Sequence, residues 1–457
     1  MSSNRLKIEV NSLKEGMFVS DLDRPWHETP FPLQGFYIRQ DDDIKALLQY
    51  CKYVYVDVKR QKLNKPHEAH APFSPKSTLE QHKSKLADKK AVKTETKEQK
   101  ELKLPPLVIK SPVVHQVTNS IYKEVAKADK LHRQVYEALN DVFQHVADPD
   151  SPMFKDTIRE TEKVAEGMVE SIIRNPDALV WLSKMSDQDS YSYQHSVKAS
   201  IWALVFGRHL GLDKDMLKAL AMGVLLSHVG KIRLSAEVLE GAAKGKPEFQ
   251  LEYRQYVQYS LDALASIEKL PKGVISIVEY HQERHNGTGF PKGVTGERIP
   301  LLAKIAGMVH YYQELITPRK EELGLSPLAA VARLYELRNI SFQQEIVERF
   351  IEAVGVFPTG TLVELSSDEV AIVTGHNQDR RLLPKVIIVL DKFKQPLKQA
   401  KPVDLKELSM TGSPADAIYI RDSLPKGFYD IDENQYLLSG ATSKWSWRHL
   451  SSTLAAG

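Results

Sequence analysis

Apolar residues recur at three- and four-residue intervals through most of residues 112–350, a spacing that places them on one face of an α-helix. The repeat is clearest in four segments, residues 113–146, 155–173, 195–210 and 217–226. Because amphipathic helices bury their apolar faces against one another, this part of the chain is predicted to form a helical bundle.

The pattern changes to that of β-strands after residue 356. Three short runs rich in Val, Ile, Leu and Thr lie at residues 360–365, 370–374 and 385–390. The Gly, Asn and Asp residues between them are those that hairpin turns require. A small β-rich C-terminal region is therefore predicted at 356–457, although residues 395–457 carry no clear pattern of their own.

The beginning of the chain, residues 1–64, is predicted to be a small α/β module. Residues 6–10 and 53–57 have the alternation and composition of strands, and residues 44–48 have those of a short helix. Cys51 lies beside the apolar run of the second strand, which favours a packed core thiol over a reactive one.

Residues 65–110 differ in composition from both neighbours. They are rich in Lys, Glu, Ser and Thr and nearly lack aromatic and β-branched side chains up to residue 104. Such a segment buries too little apolar area to offset the entropy lost on ordering, so a flexible charged linker is predicted. An exposed transient helix or a basic docking tail is the alternative. The helical domain is then placed at 111–355.

The bulk composition excludes several classes of protein. A net charge of +3 over 457 residues is too small to predict binding to nucleic acid or to an anionic membrane surface. No stretch approaches the ~20 apolar residues of a membrane span. The N-terminus lacks the apolar core of a signal peptide. With a single cysteine, these features predict a cytoplasmic protein without a disulfide.

Two short sequences within the helical part carry side chains suited to metal or phosphate chemistry. They are LLSHVGKIR at 225–233 and HQERHNGTGFP at 281–291. Helical bundles can hold metal ions with His and carboxylate side chains that project inward from several helices. Centres of Mn, Fe or Zn built in this way generate a hydroxide nucleophile.

These sequences, together with His195 in YQHS and GERIP at 296–300, form an ordered series that resembles the HD-GYP family of the HD phosphohydrolases over residues 185–350. Residues 6–58 resemble the module that often precedes HD-GYP domains, and residues 347–390 resemble the tail that often follows. The resemblance implies a mainly α fold, with a helical HD-type bundle between a small N-terminal α/β module and a C-terminal β-rich tail. It also implies hydrolysis of cyclic di-GMP by metal-activated water, with the GYP loop holding the nucleotide.

Most of the metal-ligand positions that the resemblance implies carry other residues in this chain. Of seven positions, only His195 and His281 keep the family residue. The remaining five hold Ser227 and His228 in place of the His-Asp pair, Tyr256 and Gln282 in place of histidines, and His310 in place of the last Asp. Every carboxylate ligand is absent, and an imidazole cannot bridge two metal ions as an Asp does. The sequence therefore predicts a metal-free, non-catalytic pocket.

Two metal-bound alternatives stay open. His195, His228, His281 and His310 could meet in space and hold a single Zn ion, because three histidines suffice for an open site. A binuclear centre with Zn, Mn or Fe is the other alternative. Either would make the protein a phosphodiesterase with a rearranged His-rich site, in which Lys231 would be the catalytic side chain.

Outside the metal-ligand positions, the sequence keeps more of the residues that the resemblance implies. Four cationic side chains are predicted to contact phosphate, and these are Lys231, Arg284, Lys292 and Arg319. Four loop residues are predicted to shape the nucleotide pocket, and these are Gly287, Gly289, Phe290 and Pro291. The alternative is that the fold itself requires them, as turn glycines and solvated surface charges. The tyrosines of 253–259 and 311–312 are predicted to be core and interface packing and not a platform for stacking bases.

The sequence thus predicts a degenerate HD-GYP protein of bacterial cyclic di-GMP signalling that senses the nucleotide or binds a protein partner without catalysis. The first alternative is an active cyclic di-GMP phosphodiesterase. The second is a purely structural or interaction module that ignores the nucleotide. The positions of His228 and His310 relative to His195 discriminate between the enzyme and the other two.

Overall fold

The computed structural model describes residues 5–24, 29, 31, 35–38, 41–57, 109, 111–185, 191–317, 324–355, 357–377, 383–411, 418–424 and 428–431. Nearly all of the predicted linker at 65–110 lies outside these residues, as does Arg319, so neither prediction is tested.

The N-terminal module is a four-stranded antiparallel sheet with one helix. Its elements are β1 (Arg5–Glu9), β2 (Phe18–Leu22), β3 (Phe36–Tyr37), α1 (Asp41–Tyr50) and β4 (Tyr53–Asp57). The strand order is β1-β4-β2-β3. Cys51 is only 4% exposed, which confirms the packed core thiol, and burial raises the pKa of that thiol to about 11. The predicted α/β module is confirmed.

Twelve helices among the described residues make up the central bundle. They are α2 (Ile121–His145), α3 (Pro152–Arg174), α4 (Pro176–Met185), α5 (Tyr191–His209), α6 (Lys214–Leu226), α7 (Ala236–Ala243), α8 (Pro247–Arg254), α9 (Tyr256–Leu264), α10 (Val274–Tyr280), α11 (Leu301–Ile316), α12 (Pro327–Glu336) and α13 (Gln344–Val354). Helix α5 is buried around nearly its whole circumference, so it forms the centre of the bundle. The mainly α fold class predicted from the sequence is confirmed.

One predicted helix begins later than its apolar spacing suggested. Residues 113–120 form neither helix nor strand, and α2 starts only after Ser120, whose hydroxyl accepts a hydrogen bond from the amide of Lys123. The backbone of this segment is held instead by other parts of the fold, since the amide of Val113 donates to Gly211 and that of Thr118 donates to Arg174. The prediction of a helix from residue 113 is wrong for this reason.

The C-terminal region is a five-stranded antiparallel sheet. Its elements are β5 (Leu362–Leu365), β6 (Val370–Gly375), β7 (Lys385–Leu390), β8 (Pro396–Asp404), α14 (Leu405–Thr411) and β9 (Ile420–Ser423). The strand order is β8-β7-β6-β5-β9. The three predicted strands are confirmed as β5, β6 and β7. Strand β8 is exposed or half-buried along its length, so it has no buried face to impose a pattern on the sequence.

The N-terminal module packs against the end of α12. The carboxylate of Asp43 in α1 pairs with the guanidinium of Arg338 at 2.7 Å. The ring of Phe36 meets that of Tyr335 edge-on, with centroids 6.2 Å apart. Among the described residues, no helix is long and apolar enough to span a membrane.

Candidate functional site

Four buried histidines from four different elements meet in the centre of the bundle. His195 comes from α5, His228 from the turn after α6, His281 from the end of α10 and His310 from α11. The ring centroids of His228 and His310 are 4.3 Å apart, and those of His195 and His310 are 5.2 Å apart with nearly parallel planes. The centroid of His281 lies 5.5 Å from those of both His228 and His310. We call these four residues the histidine cluster.

Two glycines let the elements of the cluster approach closely. A Cβ on Gly307 of α11 would overlap the carbonyl of His281, and a Cβ on Gly230 would overlap the backbone of Tyr256 and Ser260. Glycine is therefore required at both positions by the packing of α11 on the end of α10 and of the 228–233 turn on α9.

Hydrogen bonds connect His195, His310 and Ser227 into a chain. Nε2 of His195 is 3.0 Å from Nδ1 of His310, and Nε2 of His310 is 2.9 Å from Oγ of Ser227. Oγ of Ser227 also lies 2.9 Å from the carbonyl of Val224. A serine hydroxyl has one hydrogen and a neutral imidazole has one N–H. All three contacts are satisfied when His195 donates to His310, His310 donates to Ser227 and Ser227 donates to Val224, and we assign the tautomers on that basis.

His281 is held by a separate pair of hydrogen bonds. Its Nδ1 is 2.8 Å from the carbonyl of Val278, to which it must donate because a carbonyl only accepts. Its Nε2 is then an acceptor, and the hydroxyl of Tyr256 donates to it at 2.9 Å. Both ring nitrogens of His281 are therefore engaged, one of them by the tyrosine that replaces a histidine of the family pattern.

The ligand atoms offered by His195, His228 and His310 all lie within 4.8 Å of one another. His281, the fourth predicted candidate, is not part of this group, and its two nitrogens bind Val278 and Tyr256. Among the described residues the group contains only imidazoles, so it does not fit a centre of two or three metal ions, which needs a bridging carboxylate. Three imidazoles fit a single ion such as Zn²⁺ by number and type, but only if the hydrogen bond between His195 and His310 is broken.

The cluster is uncharged at neutral pH. Burial, assisted by the positive charge of Lys231, lowers the pKa of His195 to about 3, and burial lowers that of His281 to about 3 as well. Burial and Lys231 hold the pKa values of His228 and His310 well below their ordinary range. The positive charge of the site therefore comes from Lys231 and from Arg284. The charge of Arg284 also contributes to the lowered pKa values of His281 and His310.

Two of the predicted phosphate-binding cations lie beside the cluster. The ammonium of Lys231 lies over the rings of Tyr256 and Tyr253, at 4.8 and 5.4 Å from their centroids. Lys231 forms no ion pair with a carboxylate in the part of the chain that the structure describes. The guanidinium of Arg284 donates to the carbonyl of Glu283 at 2.9 Å and to the side chain of Gln282 at 3.0 Å.

Lys292 is held in a different way. Its ammonium pairs with Glu279 at 2.6 Å and donates to the hydroxyl of Tyr280 at 3.0 Å, on a side chain that is 47% exposed. The structure therefore brings Lys231 and Arg284 to the histidine cluster and gives Lys292 an anionic partner of its own.

Residues 283–296 form the glycine-rich loop beside the cluster. Gly287 has a φ of +79°, which L side chains rarely adopt, and a Cβ on Gly289 would overlap the backbone of Glu283 and Arg284. Phe290 and Pro291 are joined by a cis peptide bond. The ring of Phe290 lies edge-on to Tyr256, with centroids 6.3 Å apart.

Sequence reasoning missed the residue that organises this loop. The carboxylate of Glu283 is 4% exposed and accepts hydrogen bonds from the amides of Lys292, Gly293 and Val294, at 2.7, 3.1 and 3.1 Å. A carboxylate that accepts hydrogen bonds from three consecutive backbone amides fixes the second half of the loop to its first residue. The signal in the sequence was an acidic residue immediately before a glycine-rich stretch.

The tyrosines near the site are core side chains where they are fully buried. Tyr256 and Tyr312 are 0% exposed, which confirms the packing prediction for these two, while Tyr253 and Tyr259 are half-buried. No face of Tyr256 is left for a base to stack on.

Two family models match parts of this chain. Residues 5–151 match the family model described as "Domain of unknown function (DUF3391)", and residues 179–343 match the model described as "HD domain". The chain thus carries a DUF3391 module followed by an HD domain, and the predicted resemblance to the HD-GYP family is confirmed.

Two curated relatives are cyclic di-GMP phosphodiesterases by name. The chain is 27% identical over 409 residues to Cyclic di-GMP phosphodiesterase PA4108 of Pseudomonas aeruginosa, covering 89% of this chain and 90% of the relative. It is 23% identical over 250 residues to Cyclic di-GMP phosphodiesterase PdeB of Borreliella burgdorferi, covering 54% of this chain and 64% of the relative. The solved structure of Bd1817, an HDG"Y"P protein from Bdellovibrio bacteriovorus, matches 77% of this chain and 99% of that chain with a TM-score of 0.43 and 14% identity.

Proposed function

We propose that this protein binds cyclic di-GMP without hydrolysing it, and acts as a sensor in bacterial second-messenger signalling. The observation that carries the proposal is the hydrogen bonding of the histidine cluster. Both ring nitrogens of His310 are bound, to His195 and Ser227, and both of His281 are bound, to Val278 and Tyr256.

The absence of hydrolysis follows from the chemistry of the replaced positions. Cleavage of a phosphodiester by this class of site needs a metal-bound hydroxide and, with two ions, a bridging anionic ligand. The described residues of the cluster supply neutral imidazoles only, and their surroundings supply the cations Lys231 and Arg284. A site of this charge stabilises an anion and does not attract further cations.

Nucleotide binding is supported by the same charges. A cyclic dinucleotide carries two phosphodiester groups, and Lys231 is a cation that has no carboxylate partner among the described residues. Lys231 and the loop residue Phe290 both contact the ring of Tyr256, with the ammonium 4.8 Å and the Phe290 centroid 6.3 Å from its centroid. The names of the relatives supply the identity of the nucleotide.

The test measures binding and turnover in the same samples of the full chain. Cyclic di-GMP is titrated by calorimetry, and the products are separated by chromatography after incubation with Mn²⁺, Fe²⁺ or Zn²⁺. We expect binding without formation of the linear dinucleotide. Lys231→Met should weaken binding by about tenfold or more, since it removes a charge that faces phosphate.

Lys292→Met is the matched control. It removes the same charge from a lysine that already pairs with Glu279, so we expect the affinity to change less than about twofold. Turnover with any of the three metals would establish the enzyme in place of the sensor. A complete lack of binding would leave a module that ignores the nucleotide.

A second candidate, a phosphodiesterase with a single metal ion, is favoured by one observation. Nε2 of His228 is buried and has no hydrogen-bond partner among the described residues, and it belongs to the group of three imidazoles. This candidate requires stoichiometric metal in the purified protein that His228→Asn removes. Metal-free protein, measured by elemental analysis, would exclude it.

A further inference from the structure

The N-terminal module and the glycine-rich loop contact the same short turn. This turn, residues 337–343, connects α12 to α13. Arg338 of this turn binds Asp43 of the module, which lies 295 residues earlier, so the contact is a long-range feature of the fold. The N-terminal module is thereby attached to the loop of the candidate site through a few residues.

On the side of the module, the contact is a buried ion pair with an aromatic edge. The side chains of Arg338 and Asp43 are only 4% and 10% exposed, and their nitrogen and oxygen are 2.7 Å apart. The guanidinium also lies 4.0 Å from the centroid of the Tyr335 ring and donates to the carbonyl of that residue at 2.9 Å. Phe36 of the module packs edge-on against the same ring.

On the side of the loop, the contact is made by the backbone. The amide of His285 donates to the carbonyl of Ser341, and the amide of Asn286 donates to the carbonyl of Ile340, both at 3.0 Å. The guanidinium of Arg284 lies over the ring of Phe342, 5.4 Å from its centroid. The first residues of the glycine-rich loop are therefore fixed to the turn by two hydrogen bonds and one cation–π contact.

The turn is stiff enough to transmit a change between the two contacts. The amide of Asn339 donates to the carbonyl of Phe342 at 2.7 Å, and those of Ile340 and Ser341 donate to Leu337 at 3.1 and 2.9 Å. Asn339 itself adopts a φ of +55°, a left-handed turn conformation that asparagine accepts more readily than most residues. Arg338 and the carbonyls that hold the loop are two and three residues apart.

We propose that the N-terminal module is an intramolecular clamp, which holds the glycine-rich loop in shape through the Asp43–Arg338 pair. Arg338 is buried, so without Asp43 its guanidinium loses the carboxylate that it pairs with at 2.7 Å and must move toward water. That movement displaces the turn and, with it, the carbonyls that bind His285 and Asn286. Any partner that draws the module away thus loosens the loop. The clamp itself is independent of what the loop binds.

Hydrogen–deuterium exchange of the full chain, without nucleotide or metal, tests the clamp. In Asp43→Asn we expect the amides of residues 284–296 to exchange at least about tenfold faster than in the wild type. Asp41→Asn is the matched control, because it makes the same change in the same helix at an exposed position. It should leave the exchange of the loop unchanged.

The strands of the module report whether it stays folded. If Asp43→Asn exposes only residues 335–343 while the loop keeps its protection, the clamp is overturned. If the variant unfolds the module, seen as lost protection in β1 and β4, the loop must lose its protection too, and a loop that stays protected again overturns the proposal. Since no nucleotide is present, a failure of the proposed sensor function leaves this result untouched.

Discussion

The hydroxyl of Tyr256 donates its hydrogen to Nε2 of His281 across 2.9 Å, at a position where no part of either residue is exposed. Tyr256→Phe leaves this nitrogen buried without a donor, so the free energy of unfolding should fall by about 1–3 kcal/mol. Urea unfolding measures the change. Tyr253→Phe removes a half-buried hydroxyl nearby and should cost less than about 0.5 kcal/mol. Equal effects of the two substitutions would contradict the role given to this hydrogen bond.

The carboxylate of Glu283 is predicted to hold the glycine-rich loop together. Glu283→Gln keeps one acceptor oxygen but loses the charge that three amides share, so we expect a loss of about 1–3 kcal/mol in unfolding free energy and faster exchange of the amides of 292–294. Glu279→Gln disrupts a half-exposed ion pair with Lys292 and should cost about 0–1 kcal/mol. Undiminished protection of the three amides in Glu283→Gln would disprove this account.

Folding stability should fall at mildly acidic pH because of His132. Burial, with Lys198 as a second cause, lowers the pKa of this imidazole to about 4. The ordinary value in an unfolded chain is about 6.5, so between these pH values the unfolded state binds more protons than the folded state. The stability contributed by the neutral imidazole is present in full above about pH 6.5 and is lost as the pH falls toward 4.

The measurement is the unfolding free energy at stepped pH. Between pH 7 and 4.5 the wild type should lose about 2 kcal/mol more than His132→Met, which cannot take up a proton. His145→Met, in the last turn of the same helix, is the control and should follow the wild type. Parallel curves for the wild type and His132→Met would show that His132 does not contribute to the pH dependence.

Gly289 should tolerate no side chain. A Cβ there overlaps backbone atoms of Glu283 and Arg284, which cannot move as the end of a flexible side chain would. Gly289→Ala should therefore cost more than about 2 kcal/mol in thermal or urea unfolding. Gly375→Ala meets nothing within 4 Å and should change stability by less than about 0.5 kcal/mol. A tolerated Gly289→Ala would mean that the loop does not pack as described.

The sequence predicted those elements whose apolar residues are buried in the core. Helices α3, α5 and α6 and strands β5, β6 and β7 follow apolar spacing, since the core imposes that spacing on them. The spacing failed at 113–120, where the backbone bonds to Gly211 and Arg174 override it. It also predicted nothing at β8, which has no buried face. The division of the chain at residues 64, 110 and 355 stays a prediction.

For the site, the sequence predicted which histidines could meet but not what their nitrogens bind. His195, His228 and His310 do converge. That His281 is held by Val278 and Tyr256 depends on the direction of its ring, which only the packed structure sets. Lys292 was predicted to contact phosphate because its charge is visible in the sequence, whereas its ion pair with Glu279, thirteen residues earlier, depends on the path of the loop.

The hydrogen bonds from His195 through His310 and Ser227 to Val224 all run in one direction, and this makes the members interdependent. Replacing His310 by aspartate removes the N–H that Ser227 accepts, and replacing Ser227 by histidine removes the hydroxyl that His310 binds. Each change obliges the buried neighbours to form new hydrogen bonds, so we expect either one alone to lower the free energy of unfolding. Substitutions that restore metal ligands in this pocket are then better tolerated together than one at a time.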